Sequence, residues 1–210
     1  KIMPKKFPNK NYKDVIEYYN DYSKSLNETL VLLKSNQIKN VLSLLNKSIQ
    51  NRKNIFICGN GGSSSVSNHF LCDFQKGLLL DKKLRLRTYS LSSNTDLITA
   101  ISNDLNYNKI FSLQLDSLAD QNDLLIIFSV SGKSGNIIEA AKSAKKKKMK
   151  VISFVGFKNS PVKKFSNVCI EFNNKNYGIS EDVFQILMHV YSQYIRQKNL
   201  SNRVILNKNF

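Results

Sequence analysis

The stretch Asp123-Leu124-Leu125-Ile126-Ile127-Phe128-Ser129-Val130-Ser131-Gly132-Lys133-Ser134-Gly135-Asn136 decides the fold. Its first half is a continuous apolar run, as a strand buried on both faces requires. Its second half changes abruptly to serine and glycine, then opens a helical pattern over 134–148. Upstream, Asn54-Ile55-Phe56-Ile57-Cys58 repeats the same plan. It runs into Gly59-Asn60-Gly61-Gly62-Ser63-Ser64-Ser65 and a helix-like stretch over 63–77. Strand patterns at 84–91, 150–156 and 168–172 alternate with helical ones at 96–101, 110–118 and 180–197. Strands alternating with helices predict an α/β fold, a three-layer α/β/α sandwich around a mostly parallel sheet. Glu181 and Asp182 are expected in the first turn of the closing helix, where the dipole favours acidic groups.

Residues 11–50 read as two helices that form an N-terminal helical arm, part of the same domain as 51–197, with 198–210 as a tail. Val15, Ile16, Tyr19, Tyr22, Leu26, Leu30 and Leu33 recur at helical spacing. Asn36 is expected to cap the second helix, which carries Ile38, Val41, Leu42 and Leu45.

The 210 residues, 41% of them hydrophobic, suit one compact domain. No apolar run is long enough to span a bilayer. Lys1 to Lys10 is basic without the apolar stretch of a secretory signal, so the expectation is a cytoplasmic protein. Three cysteines without CxxC spacing argue against a disulfide framework or a thiolate cluster. Cys58 and Cys169 are expected as small buried hydrophobes. The net charge of +17 is spread along the chain. Its one dense run, Lys145 to Lys148, falls where cations complement a helix C-terminus. No recognition motif accompanies the charge, so nucleic acid is not an expected partner.

In parallel α/β folds ligands bind beyond the carboxyl ends of the strands, where both serine–glycine loops sit. Glycines permit close backbone approach. Free N–H groups and a positive dipole end follow at each helix start. Neither loop is a GxGxxG or a P-loop. Ser129, Ser131 and Ser134 surround Gly132 and can converge on the oxygens of a phosphate monoester, a better match to a sugar phosphate than to a nucleoside triphosphate.

The two histidines lie on predicted helices. His69 and Asp73 are four apart and share a face. His189 follows Gln185 by four and Glu181 by eight, on one face of the closing helix.

Gly59-Asn60-Gly61-Gly62-Ser63, Asn103-Asp104 and Ser129-Val130-Ser131-Gly132-Lys133-Ser134 together resemble the successive motifs of the sugar isomerase (SIS) domain, and their order and spacing are similar to those of phosphoheptose isomerases. The resemblance spans about 11–197 and implies a flavodoxin-like sheet. It also implies that Asn60, Gly61, Ser63, Asp104, Ser129, Ser131 and Ser134 line a phosphosugar pocket. The family's usual reaction converts sedoheptulose 7-phosphate to a heptose 7-phosphate through an enediolate. By the resemblance Asp73 stands at the base, where the family has Glu, and His189 at the acid. Glu181 stands where the family has Gln. His69, Asp73, Glu181 and His189 correspond to a zinc set. Glu181 and His189 lie about 12 Å apart along an ideal helix, however, so Gln185 is the nearer partner of His189. Val130 replaces a hydroxyl residue. The resemblance further implies a homotetramer with sites between subunits. Two other readings stand beside it: an isomerase of a different phosphosugar, and a non-catalytic adaptor or regulator on the same fold.

Overall fold

A computed structural model describes residues 6–77, 86–201 and 205. Five parallel strands, β1 (Asn54–Cys58), β2 (Arg87–Ser90), β3 (Leu124–Phe128), β4 (Lys150–Val155) and β5 (Val168–Glu171), form one sheet in the order β2-β1-β3-β4-β5. The chain reverses its direction of travel between β1 and β3, the switch point at which such sheets open a ligand crevice.

Side chains alternate along each strand and divide the core in two. Ile55, Ile57, Leu124, Ile126, Ile152 and Phe154 face one layer. It contains α1 (Val15–Val31), α2 (Ser35–Gln50), α3 (Gly62–Cys72) and α7 (Tyr177–Lys198). Phe56, Cys58, Leu125, Ile127 and Val151 face the other, built from α4 (Thr95–Asp104), α5 (Ser112–Leu118) and α6 (Gly135–Lys146). The three-layer α/β/α sandwich is thus present. Within the arm, α2 buries Val41, Leu45 and Ile49 in the first core, and Tyr191 of α7 donates from its hydroxyl to the Ile38 carbonyl at 3.2 Å.

Several boundaries differ from expectation. α1 starts at Val15 because Asp14 accepts hydrogen bonds from the backbone N–H groups of Ile16 and Glu17. α2 begins at Ser35 with Lys34 at its cap, so Asn36 lies inside the helix and does not cap it. α7 begins at Tyr177, because Asn176 accepts from Ile179 N. Glu181 and Asp182 therefore sit in the second turn, and the first turn holds no acidic residue. The helix after the first loop leaves α geometry early, continuing as a π-helical turn over Asp73–Gly77. Of the strand expected over 84–91, Leu84 and Arg85 lie outside the described residues. Cys58 and Cys169 are buried, and burial raises both thiol pKa values. Lys147 donates to the Ala119 carbonyl beyond the end of α6, in keeping with cations at a helix C-terminus. Among the described residues no helix is long and apolar enough to cross a membrane.

Candidate active site

Both serine–glycine loops stand at the carboxyl end of the sheet, after β1 and β3. The backbone turns in the left-handed region at Gly61 (φ 55°) and Gly132 (φ 61°). At Gly132 a side chain would also collide with Ser160, whose Cβ lies 2.6 Å from where a Cβ would stand. Glycine is required there on both counts.

An amide pair fastens the loops to each other. Asn60 Nδ2 donates to Asn136 Oδ1 at 2.9 Å, and Asn136 Nδ2 donates back to Asn60 Oδ1 at 2.8 Å. Tyr107 adds its hydroxyl to the same Asn60 oxygen at 3.1 Å. Asn136 is fully buried. The sequence reading placed Asn60 against the ligand and gave Asn136 and Tyr107 no part. In the structure most of the Asn60 amide is committed to holding the second loop, with one N–H to spare.

The second loop keeps its hydroxyls near the helix start. Ser129 Oγ accepts from Gly132 N at 3.2 Å, and Ser131 Oγ accepts from Lys133 N at 3.4 Å. Ser134 is the N-cap of α6, yet its side chain makes no capping bond. Val130 points into the core, so the missing hydroxyl at that position is replaced by packing. Asp104 is exposed at the end of α4, and its described hydrogen bond comes from Asn103 Nδ2 at 2.9 Å. Tyr107, three residues on, is the one that reaches Asn60.

Two to three turns along α3 from the first loop, α3 and α7 bring together His69, Asp73 and His189, with one ligand atom from each lying within 4.8 Å of the others. His69 Nε2 is 3.5 Å from Asp73 Oδ1, and His189 Nε2 is 3.8 Å from Asp73 Oδ2. The imidazole rings meet edge to face at 5.0 Å. Ser192 donates to Asp73 Oδ2 at 3.4 Å. Asp73 is one methylene shorter than a Glu, and the π-helical turn begins at that residue. Such turns recur at functional sites.

Of the four-residue metal set expected from the resemblance, the protomer brings three together. Two turns of α7 carry Glu181 away from His189, and its carboxylate accepts from Ser63 Oγ at 3.2 Å. Gln185 occupies the intermediate turn, with Nε2 2.6 Å from His69 Nδ1 and 3.2 Å from His189 Nε2. Two imidazole nitrogens thus converge on one amide group, as they would on a cation. Two imidazoles and a carboxylate form a donor set that suits a borderline divalent metal.

The SIS domain family matches residues 17–156. The phosphoheptose isomerase of Helicobacter pylori strain P12 is 31% identical over 160 residues, covering 76% of this chain and 83% of its own. That of Buchnera aphidicola subsp. Schizaphis graminum is 34% identical over 190 residues, covering 84% and 97%. The chain belongs to the SIS family, among the phosphoheptose isomerases. The fold agrees. The phosphoheptose isomerase of Neisseria gonorrhoeae superposes with a TM-score of 0.79 at 24% identity, covering 87% of this SIS chain and 97% of its own. The Vibrio vulnificus NanR protein complexed with ManNAc-6P superposes at 0.64 with 16% identity, covering 92% and 69%. Asp73, Glu181, Gln185 and Val130 fall in separate settings: Asp73 and Gln185 at the histidines, Glu181 at the first loop, Val130 in the core.

Proposed function

We propose that the protein is an aldose–ketose isomerase that converts sedoheptulose 7-phosphate to D-glycero-heptose 7-phosphate. The observation that carries this reading is the convergence of His69, Asp73 and His189 in a fold whose second strand-end loop opens a helix through serines. Relatives sharing about a third of their residues are named for the same reaction.

The phosphate is held by Ser129, Ser131 and Ser134 with the N–H groups that open α6. Asp73 takes the proton from the carbon next to the carbonyl and returns it to the neighbouring carbon after the enediolate forms. His189 donates to the carbonyl oxygen as charge develops there and takes back the proton of the neighbouring hydroxyl as that oxygen becomes the aldose carbonyl. Ser192 holds Asp73 Oδ2 in place. His69, Asp73 and His189 would hold a zinc ion, with Gln185 adjacent, and a bound zinc would supply Lewis-acid polarisation of the carbonyl. A homotetramer fits the outer face of α1, where Val15, Ile16, Tyr19 and Val31 are exposed apolar residues in need of cover.

The test is proton NMR of sedoheptulose 7-phosphate in deuterated water, with zinc and again with chelator. Aldose signals or deuterium wash-in next to the carbonyl are expected. No exchange in either arm, from folded protein, overturns the proposal. The chelator arm decides the metal.

A further inference from the structure

The amino end of the sheet, opposite the serine–glycine loops, carries a cleft of about 450 Å³. That is the size of a small-molecule site. The last turns of α2, the residues leading into β1 and β3, and the first residue of β4 surround it. Lys47, Lys53 and Lys150 meet there, with Ser48, Asn51 and Asn122 completing the polar lining. Among the described residues no acidic one lines it. The five residues of β3, at about 3.3 Å each, separate it from Ser129, so it shares no space with the phosphosugar loops.

A solvated helix end does not account for these lysines. A cation in the last turn of α2 complements the helix dipole, which explains Lys47 but neither Lys53 nor Lys150. Among the described residues none of the three forms an ion pair. Lys53 Nζ donates to the Gln121 carbonyl at 3.2 Å, which steadies it without neutralising it. Asp123 at this end of the sheet is 1% exposed and accepts from Asn54 N, Asn54 Nδ2 and Asp120 N, each at 2.9 Å, so its charge is satisfied internally. Asp120 is exposed and stands outside the lining. The late carbonyls of α2, which would repel an anion, are also taken: Lys47, Ser48 and Ile49 accept from the N–H groups of Asn51, Lys53 and Arg52. Ser48 is the second mark of a ligand. It is 6% exposed and lines the cleft, yet its hydroxyl makes no hydrogen bond to any described residue. Buried hydroxyls are ordinarily paired.

We propose that this cleft is a second anion site, built for a compact ligand with two adjacent phosphates: inorganic pyrophosphate or the diphosphate end of a nucleotide. Three ammonium groups exceed what one dianionic phosphate neutralises, and a lysine ammonium is a compact point charge suited to phosphate oxygens. The lysines surround a concavity and do not form a track, which favours a small ligand over a nucleic-acid backbone. The site stands independently of the isomerase reading.

The experiment is titration calorimetry with pyrophosphate and with adenosine diphosphate, at about 0.05 M salt, where charge contacts are least screened. Lys47→Gln combined with Lys150→Gln is expected to weaken pyrophosphate binding at least about tenfold, a difference of about 1.4 kcal/mol. Lys13→Gln combined with Lys39→Gln removes the same charge from exposed positions and should change it by less than about twofold. Ser48→Ala should weaken binding severalfold and leave the urea midpoint in place, because that hydroxyl holds nothing in the fold. Ser131→Ala combined with Ser134→Ala should retain pyrophosphate binding, which separates this cleft from the second loop. Pyrophosphate bound without adenosine diphosphate marks the inorganic ion as the source, and adenosine diphosphate bound as strongly marks a nucleotide; both support the site. No binding of either by wild type, equal losses from the two lysine pairs, or binding that disappears with the second-loop serines overturns it. Tighter capture of a DNA oligonucleotide through Lys47 and Lys150 overturns the small ligand.

Discussion

The loop after β1 and the loop after β3 both leave a buried strand through glycine and serine and enter a helix, yet only the second leaves its helix start open. At the first, a carboxylate eight residues before His189 on α7 is folded back onto the helix end. At the second, Ser134 stands at the cap with its hydroxyl free of the backbone. Local composition sets the shape of such a loop, whereas its electrostatics depend on whatever a distant helix delivers to it. Two loops that match in sequence therefore differ in the charge delivered to their helix starts.

That comparison assigns proton transfer to the cluster farther along the helix that leaves the first loop and phosphate binding to the second loop, and each half can be broken separately. Replacing Asp73 by Asn removes the proposed base while keeping its shape. Turnover is expected to fall by about 10²–10⁴-fold, with sedoheptulose 7-phosphate affinity changed by no more than roughly threefold. Undiminished turnover in steady-state assays removes Asp73 from the chemistry and leaves the first loop without a role.

The double replacement Ser131→Ala, Ser134→Ala bears on the other half. Hydrogen bonds to a charged group contribute about 1.5–3 kcal/mol each, so losing two should weaken affinity by roughly a hundredfold or more with kcat little altered. Ser65→Ala, on the exposed side of α3, should change neither. Equal losses from the two loops would end the distinction between them.

The smallest effect sharpens the link between the loops. Asn136→Ala leaves the Asn60 amide without its partner at a buried position and should cost about 1–3 kcal/mol in urea unfolding. Tyr107 still holds the Asn60 oxygen in that variant, so Asn136→Ala combined with Tyr107→Phe should lose more than the sum of the two alone. Additive losses would mean that the two contacts act independently.

The sheet and the position of the site were legible because buried parallel strands write themselves as continuous apolar runs, as in Leu124–Phe128, and because loops at their ends are punctuated by glycine. The His69–Asp73 pairing was legible for a similar reason, since four residues on one helix fix a shared face. Contacts across the fold left no such mark. Asn60 and Asn136 are 76 residues apart and Tyr107 lies 47 from Asn60, so no periodicity announces their meeting. Glu181 was misplaced by a short error with a large effect. Asn176 caps α7 five residues ahead of Glu181, so the carboxylate is not spent on its own helix end and serves that of α3 instead. The family resemblance supplied a four-membered set of which one protomer brings three members together, and helix pitch had already pointed to Gln185 as the nearer partner of His189.

The division of the molecule into two layers has a consequence for descent. His69, Asp73, Gln185 and His189 all belong to α3, its π-helical extension and α7, on one side of the sheet, whereas α6, the helix proposed to receive the phosphate, lies on the other. Each layer is packed against its own set of strand side chains, so substitutions accumulate on one without repacking the other. A lineage built on this plan can retire or replace its chemistry while inheriting the grip on phosphate unchanged, and can pass on a working handle for phosphorylated sugars to descendants that do something else with them.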